Sequence, residues 1–450
     1  MEDKVKNFTK YFAKRKLILF LIIFSIFTFD SYAKKRDYNE ITVTKIAEKP
    51  AKDKNASAGY VRERNVISVY DNKFPSNIPV NPKYSPHPSL LEYVFVRSKW
   101  ADIYSNSEIP EGFAARSDKL RTTDYDPNSD RKEMAARGVT GTYPYMTKLK
   151  LLQQFTYKSN LWYKVVDPNG KEGYIVDAFV SKRIFRAQKA LDKIHELQRF
   201  INTEMDKGRE LVRPNTYSPN PSNKNAKTQK DKYGTSWEQN AVAKTSNGET
   251  IFIPDSSIMS IISTDGKNAK VKVASIPEEL TVSAGLLSRN PKISKNFRKV
   301  VAVDIENQNT IMFEKNSSGN WEIVSYVYSK TGIESHLGYE TPKGFFIVPV
   351  IKFTMGYTDA QGRHEGNARY AMRFSGGGYM HGTPIAFSEE GRREQVMGQR
   401  NKLLGLYTGT RKCIRTSEEH ARFMFEWMCA NPVKNRNEQT PSENIMFIIF

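Results

Sequence analysis

Cysteine is almost absent: Cys413 and Cys429 are the only two in 450 residues. A fold that rests on disulfides is thereby excluded. Histidine is also scarce, with His87, His195, His336, His364, His381 and His420 scattered along the chain. Neither cysteine has a CxxC partner, so the pattern gives no metal site and implies no cofactor. Acidic residues are short as well, 49 against 69 Lys and Arg, for a net charge of +20. Such a balance suits polyanions: nucleic acid, anionic lipid or an acidic cell wall. A generic solvated basic surface explains it nearly as well. A membrane-spanning run is missing too. The apolar stretch "LILFLIIFSIFTF", Leu17–Phe29, falls short of the roughly 20 residues a helix needs to cross a bilayer.

What surrounds that stretch is informative. Lys4, Lys6, Lys10, Lys14, Arg15 and Lys16 precede it, and "SYA" follows, with Ser31 and Ala33 as small residues. Basic, apolar, small-x-small is the pattern of a secretory signal over residues 1–33, favoured over an uncleaved anchor. No cysteine follows the apolar run, which argues against a lipoprotein anchor. Export to a periplasm or cell wall sets nucleic acid aside, leaves acidic envelope polymers as partners for the charge, and limits membrane contact to the signal.

The remaining chain holds 39% hydrophobic and 12% aromatic residues, enough for two to four domains with their own cores. Residues 34–90 read as a polar tether. From 91 to 186, "YVFVRS", "KLKLLQQFTYK", "LWYKVVD" and "EGYIVDAFVS" alternate apolar and polar residues as short strands, with "DPNGKEG" (Asp167–Gly173) as a turn. That pattern predicts a small β-barrel, interrupted by a polar insertion over Ile109–Gly141. Ala187–Asp206 places Leu191, Ile194, Leu197 and Ile201 on one helical face, with His195 solvated or capping. The Pro-, Asn- and Lys-rich stretch after it completes a helix-and-linker region, 187–234. Residues 235–292 carry short β-like runs whose "AKVKVAS…ELTVSAGLLS" weakly echoes the first barrel. From 297 to 450, "KVVAVDIENQNTIMFEK", "NWEIVSYVYS" and "TPKGFFIVPVIKF" predict a β-rich domain with one late helix near Glu418–Ala430. The fold class expected is mainly β and multidomain.

Within the last region, Cys413 is flanked by Arg411, Lys412 and Arg415 and stands before "TSEE", where Thr416 or Ser417 caps a helix. Cations and a helix N-terminus favour a thiolate, the nucleophilic form, and backbone N–H groups there suit an oxyanion. Cys429 sits in the helical pattern "EEHARFMFEWMCA" and reads as a buried apolar residue. Of the histidines, His420 reads as facing solvent. His381 ends the glycine-rich turn of "RFSGGGYMHGTPIAF", where three glycines allow close backbone approach. It gains interest as a base only when paired with Cys413.

In order along the chain, "VAVDIENQNTIMFEK", "TPKGFFIVP", "YAMRFSGGGYMHG" and "CIRTSEEHARFMFEW" resemble the L,D-transpeptidase catalytic domain. "VRS", "LWYKVV" and "EGYIVDAFVS" resemble a bacterial SH3-like domain, a wall- or protein-targeting module without catalysis. The first resemblance implies Cys413 as nucleophile and His381 as general base. It implies Arg415 as the carboxylate-holding group, with Tyr379, Gly382 and Thr410 at the substrate. Tyr379 and Met380 read equally as core-packing strand residues. The implied reaction is acyl transfer from a peptidoglycan stem tetrapeptide through a thioester to an amine, a 3–3 cross-link. Two departures stand out. Where the family reads Ser/Thr-His-Gly-Cys, this chain has Thr410, Arg411, Lys412 and Cys413. The interval from His381 to Cys413 is also long, with Ser388–Asn401 as the natural insertion and lid. A non-catalytic wall-binding protein with a degenerate domain, a carboxypeptidase and a protein-anchoring variant remain alternatives. Cys–His wall endopeptidases place the cysteine before the histidine, the reverse of the order here.

Overall fold

The computed structural model describes residues 65–81, 90–105, 109–110, 112–122, 124–216, 229–335, 338–359, 361–433 and 436–450. The expected signal at 1–33, most of the tether, and His87 and His336 lie outside the described residues. The described chain is mostly β, arranged in four sheets. No helix among the described residues is long and apolar enough to cross a membrane.

The first sheet has eight strands, from Val139–Pro144 at one edge to Val180–Arg183 at the other. Val94, Leu149, Leu151, Phe155, Trp162 and Val165 close its core. At the turn after Asn160–Val166, the Asp167 carboxylate accepts from the N–H groups of Asn169 (2.9 Å) and Lys171 (2.8 Å). The polar insertion folds as two short helices, Phe113–Lys119 and Arg131–Ala136. Its Arg116 is buried against Asp102, 2.8 Å away. A buried charge needs such a partner, so a stretch with little apolar content is anchored by an ion pair instead.

Part of the stretch expected as tether belongs to the fold. Asn65–Val69 pairs antiparallel with Lys148–Tyr157, Ile78 is 1% exposed, and Val80 bridges to Ile323. A five-residue edge strand among Lys and Pro carries too little periodicity to be recognised. Likewise Leu211–Pro214, inside the expected linker, joins the second sheet and buries Val212. That sheet has seven strands, spanning Leu211 to Ser288.

The other two sheets make the C-terminal unit. In the five-stranded one, Lys299–Asp304 lies between Asn309–Lys315 and the final strand Ile445–Ile449, the latter parallel. Every residue of Lys299–Asp304 is buried, because both faces are covered. Val300 and Ala302 pack with Ala190, Ile194, Leu197 and Ile201 of the helix Ala187–Asp206. Val301 and Val303 face the opposite core, shared with Met424, Phe425 and Met428 of the helix Glu418–Met428. Each Val, Ile, Leu, Met or Phe among them contributes about 1.5–3 kcal/mol on burial. The six-stranded sheet orders Ile414–Arg415, Gly378–His381, His364–Ser375, Ile351–Thr358 and Glu438–Gln439, with Ile385–Ala386 paired to His364–Ser375. The second sheet abuts this unit through Ser257, which bridges to Phe346, and through a buried Arg373–Asp255 pair at 2.5 Å.

Candidate functional site

The geometry follows from strand alternation. Met380 of Gly378–His381 and Ile414 of Ile414–Arg415 both enter the apolar core. Side chains alternate between faces, so Tyr379, His381 and Arg415 take the other face, and Cys413, one residue before Ile414, shares it. The two strands are parallel, with Met380 opposite Ile414 and His381 opposite Arg415. Continued by one residue, the register sets Cys413 opposite Tyr379 and diagonal to His381. Backbones in that relation lie about 8 Å apart, a gap two inward-leaning side chains can span.

The glycine turn holds the sulfur. Cys413 Sγ approaches the Gly377 carbonyl at 3.7 Å, and the Tyr379 backbone N–H points to it as well. The residue keeps partial exposure, but the thiol is walled in. Burial pushes its pKa up, against the opposing pull of the Tyr379 N–H and Lys412. His381 is 5% exposed, and its Nδ1 lies 2.6 Å from the Gly382 carbonyl. A carbonyl only accepts, so Nδ1 carries the proton and Nε2 keeps its lone pair. Burial, with Arg415 adding to it, pushes the His381 pKa down to about 4 despite the Gly382 bond. A neutral thiol and a neutral imidazole thus share one face, the state in which a base removes a proton during attack rather than before it.

Cations crowd the same face. Arg415 and Lys330 exchange backbone hydrogen bonds at 2.8 Å each, which makes them directly opposed neighbours. Both are buried, each 8% exposed. Arg415 donates Nη2 to the Arg400 carbonyl at 3.0 Å, and its Nε is buried without a hydrogen-bond partner. Lys330 Nζ lies 4.4 Å from the centre of the Tyr407 ring. Burial lowers Lys330 to about 8, aided by Arg415, and lowers Arg415 to about 10, aided by Arg400. Like charges set opposite one another destabilise a sheet, and buried charges ordinarily find a counter-ion. The arrangement suits an anionic group arriving with a ligand.

The remaining site residues are placed as follows. The Thr410 hydroxyl donates to the Cys413 carbonyl, closing the turn that presents the cysteine. Gly382 lies where an added Cβ would come within 2.9 Å of Glu418 Cα, so it permits close passage of the helix. Tyr379 is 3% exposed, with Lys352 Nζ 5.7 Å from its ring centre. The Ser388–Asn401 stretch folds as a 3-10 turn, Phe387–Arg392, and a helix, Arg393–Asn401. It touches the site through Arg400. His420 does not face solvent: it is 5% exposed, inside the unit, with Nε2 3.4 Å from Ser325 Oγ. The amphipathic turn of its helix points it inward beside Ala421 and Met424. Cys429 is buried in the apolar core, and both thiols are free. Among the described residues no group of His, Cys, Asp or Glu could hold a metal ion.

Sequence reasoning missed Lys330, Gly332, Thr341 and Tyr407. Lys330, Gly332 and Thr341 lie along the turn that carries Cys413: Gly332 bridges to Thr410, and Thr341 Oγ1 donates to the Lys412 carbonyl at 2.8 Å. A Cβ on Gly332 would meet the Lys412 backbone at 2.7 Å, and one on Gly338 would meet Arg411 Cα at the same distance. Two glycines six positions apart were the available signal. Lys330 itself had none.

No protein-family profile matches the chain, and no curated protein matches it. Among solved structures, the chain is similar to L,D-transpeptidase 3 from Mycobacterium tuberculosis, with 14% identity, 47% of this chain and 82% of that one covered, and a TM-score of 0.24. It is similar to L,D-transpeptidase 1 from the same organism, at 14% identity, 38% and 78% coverage and a TM-score of 0.21. A fused Zn-dependent amidase/peptidase/peptidoglycan-binding domain-containing protein from Clostridium acetobutylicum gives 12% identity and a TM-score of 0.22. There the match covers 36% of this chain and 55% of the other, about half its length. At these TM-scores the chemistry has to be argued from the site itself.

Proposed function

We propose that this chain is an exported peptidoglycan L,D-transpeptidase in which Cys413 is the nucleophile and His381 the general base. The strand pairing carries the reading: Cys413 stands one residue before Ile414–Arg415, which runs parallel to Gly378–His381, so strand alternation turns it to the side of His381, whose Nδ1–H goes to Gly382 and leaves Nε2 as acceptor. Nε2 takes the thiol proton as sulfur attacks the carbonyl that precedes the terminal residue of a stem tetrapeptide. The C–N bond breaks, the departing amine receives the proton from His381, and a thioester remains. An amine of a neighbouring stem peptide attacks that thioester, restores the thiol and leaves a 3–3 cross-link. The cationic strip of Arg415 and Lys330 offers the substrate carboxylate its counter-charge. The first barrel, read as SH3-like, serves as a wall-targeting module, and the net charge of +20 suits acidic envelope polymers.

The test is acylation by a carbapenem, whose strained lactam carbonyl stands in for the peptide. Intact-mass and peptide mapping should place one adduct on Cys413. Cys413→Ala should remove it and Cys429→Ala should not. Equal modification of the two thiols, or none at Cys413, ends the proposal. Muropeptide profiles of a deletion strain complemented with wild type or with Cys413→Ala then report the 3–3 product directly.

A further inference from the structure

The residue before the nucleophile is the oddest in the site. Lys412 stands where the resembled family carries glycine, and its φ is +97°, a backbone region that side chains strain to occupy. Its side chain is nonetheless retained and buried, 4% exposed. The ammonium donates to the Gly376 carbonyl, one residue from the Gly377 carbonyl that receives Cys413 Sγ. Two adjacent side chains of one turn therefore grip two adjacent carbonyls of the other.

That glycine turn is itself backed by the second sheet. A Cβ on Gly376 would meet the Gln239 carbonyl oxygen at 2.6 Å, and one on Gly377 would meet Gln239 Oε1 at 3.1 Å. The charged groups facing Lys412 are Glu238 and Asp255 from the second sheet unit, Arg373 from the strand His364–Ser375, and Cys413 beside it. Asp255 is already engaged by Arg373 at 2.5 Å and lies 3.9 Å from Arg213. Of the two carboxylates, Glu238, which also bonds the Tyr339 side chain, has the stronger pull on the ammonium. A strained, buried lysine facing two carboxylates next to a thiol is costly to keep for packing alone.

We propose that Lys412 is a positioning residue for the nucleophile: its ammonium, tied to Gly376 and facing Glu238 of the neighbouring sheet unit, fixes the Cys413 thiol on the glycine turn and keeps a positive charge beside it. The inference rests on Cys413 being the reactive thiol of the reading above, yet it is read without substrate. In the full-length protein, the rate of iodoacetamide alkylation at Cys413 is followed against pH by peptide mass spectrometry, alongside unfolding temperature. Lys412→Met and Lys412→Gly should both move the alkylation midpoint to higher pH, alkylating about tenfold more slowly at pH 7. Lys412→Arg, which keeps the charge, should stay near wild type. Lys412→Gly relieves the backbone, so its unfolding temperature should hold while its midpoint moves, a separation that a purely structural role does not produce. If Lys412→Met fails to fold, the glycine and arginine variants decide alone. Midpoints that superimpose on wild type, or an arginine variant that tracks the glycine one, overturn the inference. A protein that shows these shifts but accepts no acyl group keeps this inference and loses the transpeptidase reading.

Discussion

The helix Glu418–Met428 has a cysteine near each end and a buried histidine near the strand at its start, and the two ends differ in kind. On the Cys413 side, sulfur meets a carbonyl, a backbone N–H and a buried ammonium, and His381 faces Arg415 across the register. On the Cys429 side, sulfur sits among apolar side chains, with Gln439 Oε1 at 3.8 Å as its polar contact. His420, in the first turn of the helix, is buried like His381 but has the Ser325 hydroxyl as its polar contact and burial as the cause of its lowered pKa. Burial is shared by both ends, so burial alone does not mark a site. What separates them is whether the surrounding polar groups are aimed at a reacting atom or merely satisfy a packed one.

The largest contrast is expected from the two histidines. His381→Gln removes the base while keeping a group that can bond the Gly382 carbonyl, and should slow acylation of Cys413 by about 10²–10⁴-fold. His420→Gln should leave the acylation rate within a few-fold. Stopped-flow measurement with a carbapenem checks both. Comparable losses would erase the distinction between the two histidines.

A second contrast lies in pH. His381 is held near 4 and His420 near 3, both by burial, against about 6.5 when unfolded. Between those values the unfolded state binds more protons than the folded one. Stability is therefore full above about pH 6.5 and falls as pH drops toward 4, by about 1.4 kcal/mol per pH unit for each histidine. Denaturant titrations at pH 7, 6, 5 and 4.5 should show that decline, and His420→Leu should roughly halve its slope. The activity profile sharpens the same point. Its acid limb should lie well below 6.5, because His381 stays neutral and competent there, and it should rise on the alkaline side with the thiol.

Much of this was legible, and the boundary of legibility is physical. The helix Ala187–Asp206 was readable because Ile194, Leu197 and Ile201 repeat at helical spacing, and the mainly β class because strands such as Lys299–Asp304 and Trp321–Tyr328 are strongly apolar. The Cys413–His381 pair was suggested by chain order and resemblance, but its shared face depends on Met380 and Ile414 both turning inward, a property of register between distant segments. His420 was misjudged because one helical turn carries polar and apolar residues alike, and which side faces the core is set by what it packs on. The strand Asn65–Val69 and the cation Lys330 take their meaning from partners 80 or more positions away in the chain. No local pattern encodes that.

Gly332→Ala brings a middle-sized effect to the Cys413 side. The new Cβ would fall 2.7 Å from the Lys412 backbone and 2.6 Å from the Tyr339 carbonyl, so backbone has to shift, at about 1–3 kcal/mol. Because that shift is transmitted to the turn bearing the nucleophile, carbapenem acylation should slow along with the loss of stability. Loss of stability with an unchanged rate would show that Gly332 and Thr341 pack on the turn without setting it.

The smallest effect tests the hinge between the two ends. Ser417 caps the helix, its Oγ accepting from the His420 N–H at 3.3 Å. Ser417→Ala leaves that donor without its cap and should cost about 1 kcal/mol. The cap holds the first turn of the helix, where His420 sits, whereas Cys413 is held by the glycine turn and by Thr410 on the far side of the strand. Urea unfolding should therefore register the loss while alkylation of Cys413 does not. A matching change in thiol reactivity would mean that the helix start, and not the glycine turn, sets the nucleophile, and would move the source of the difference between the two cysteines onto the helix itself.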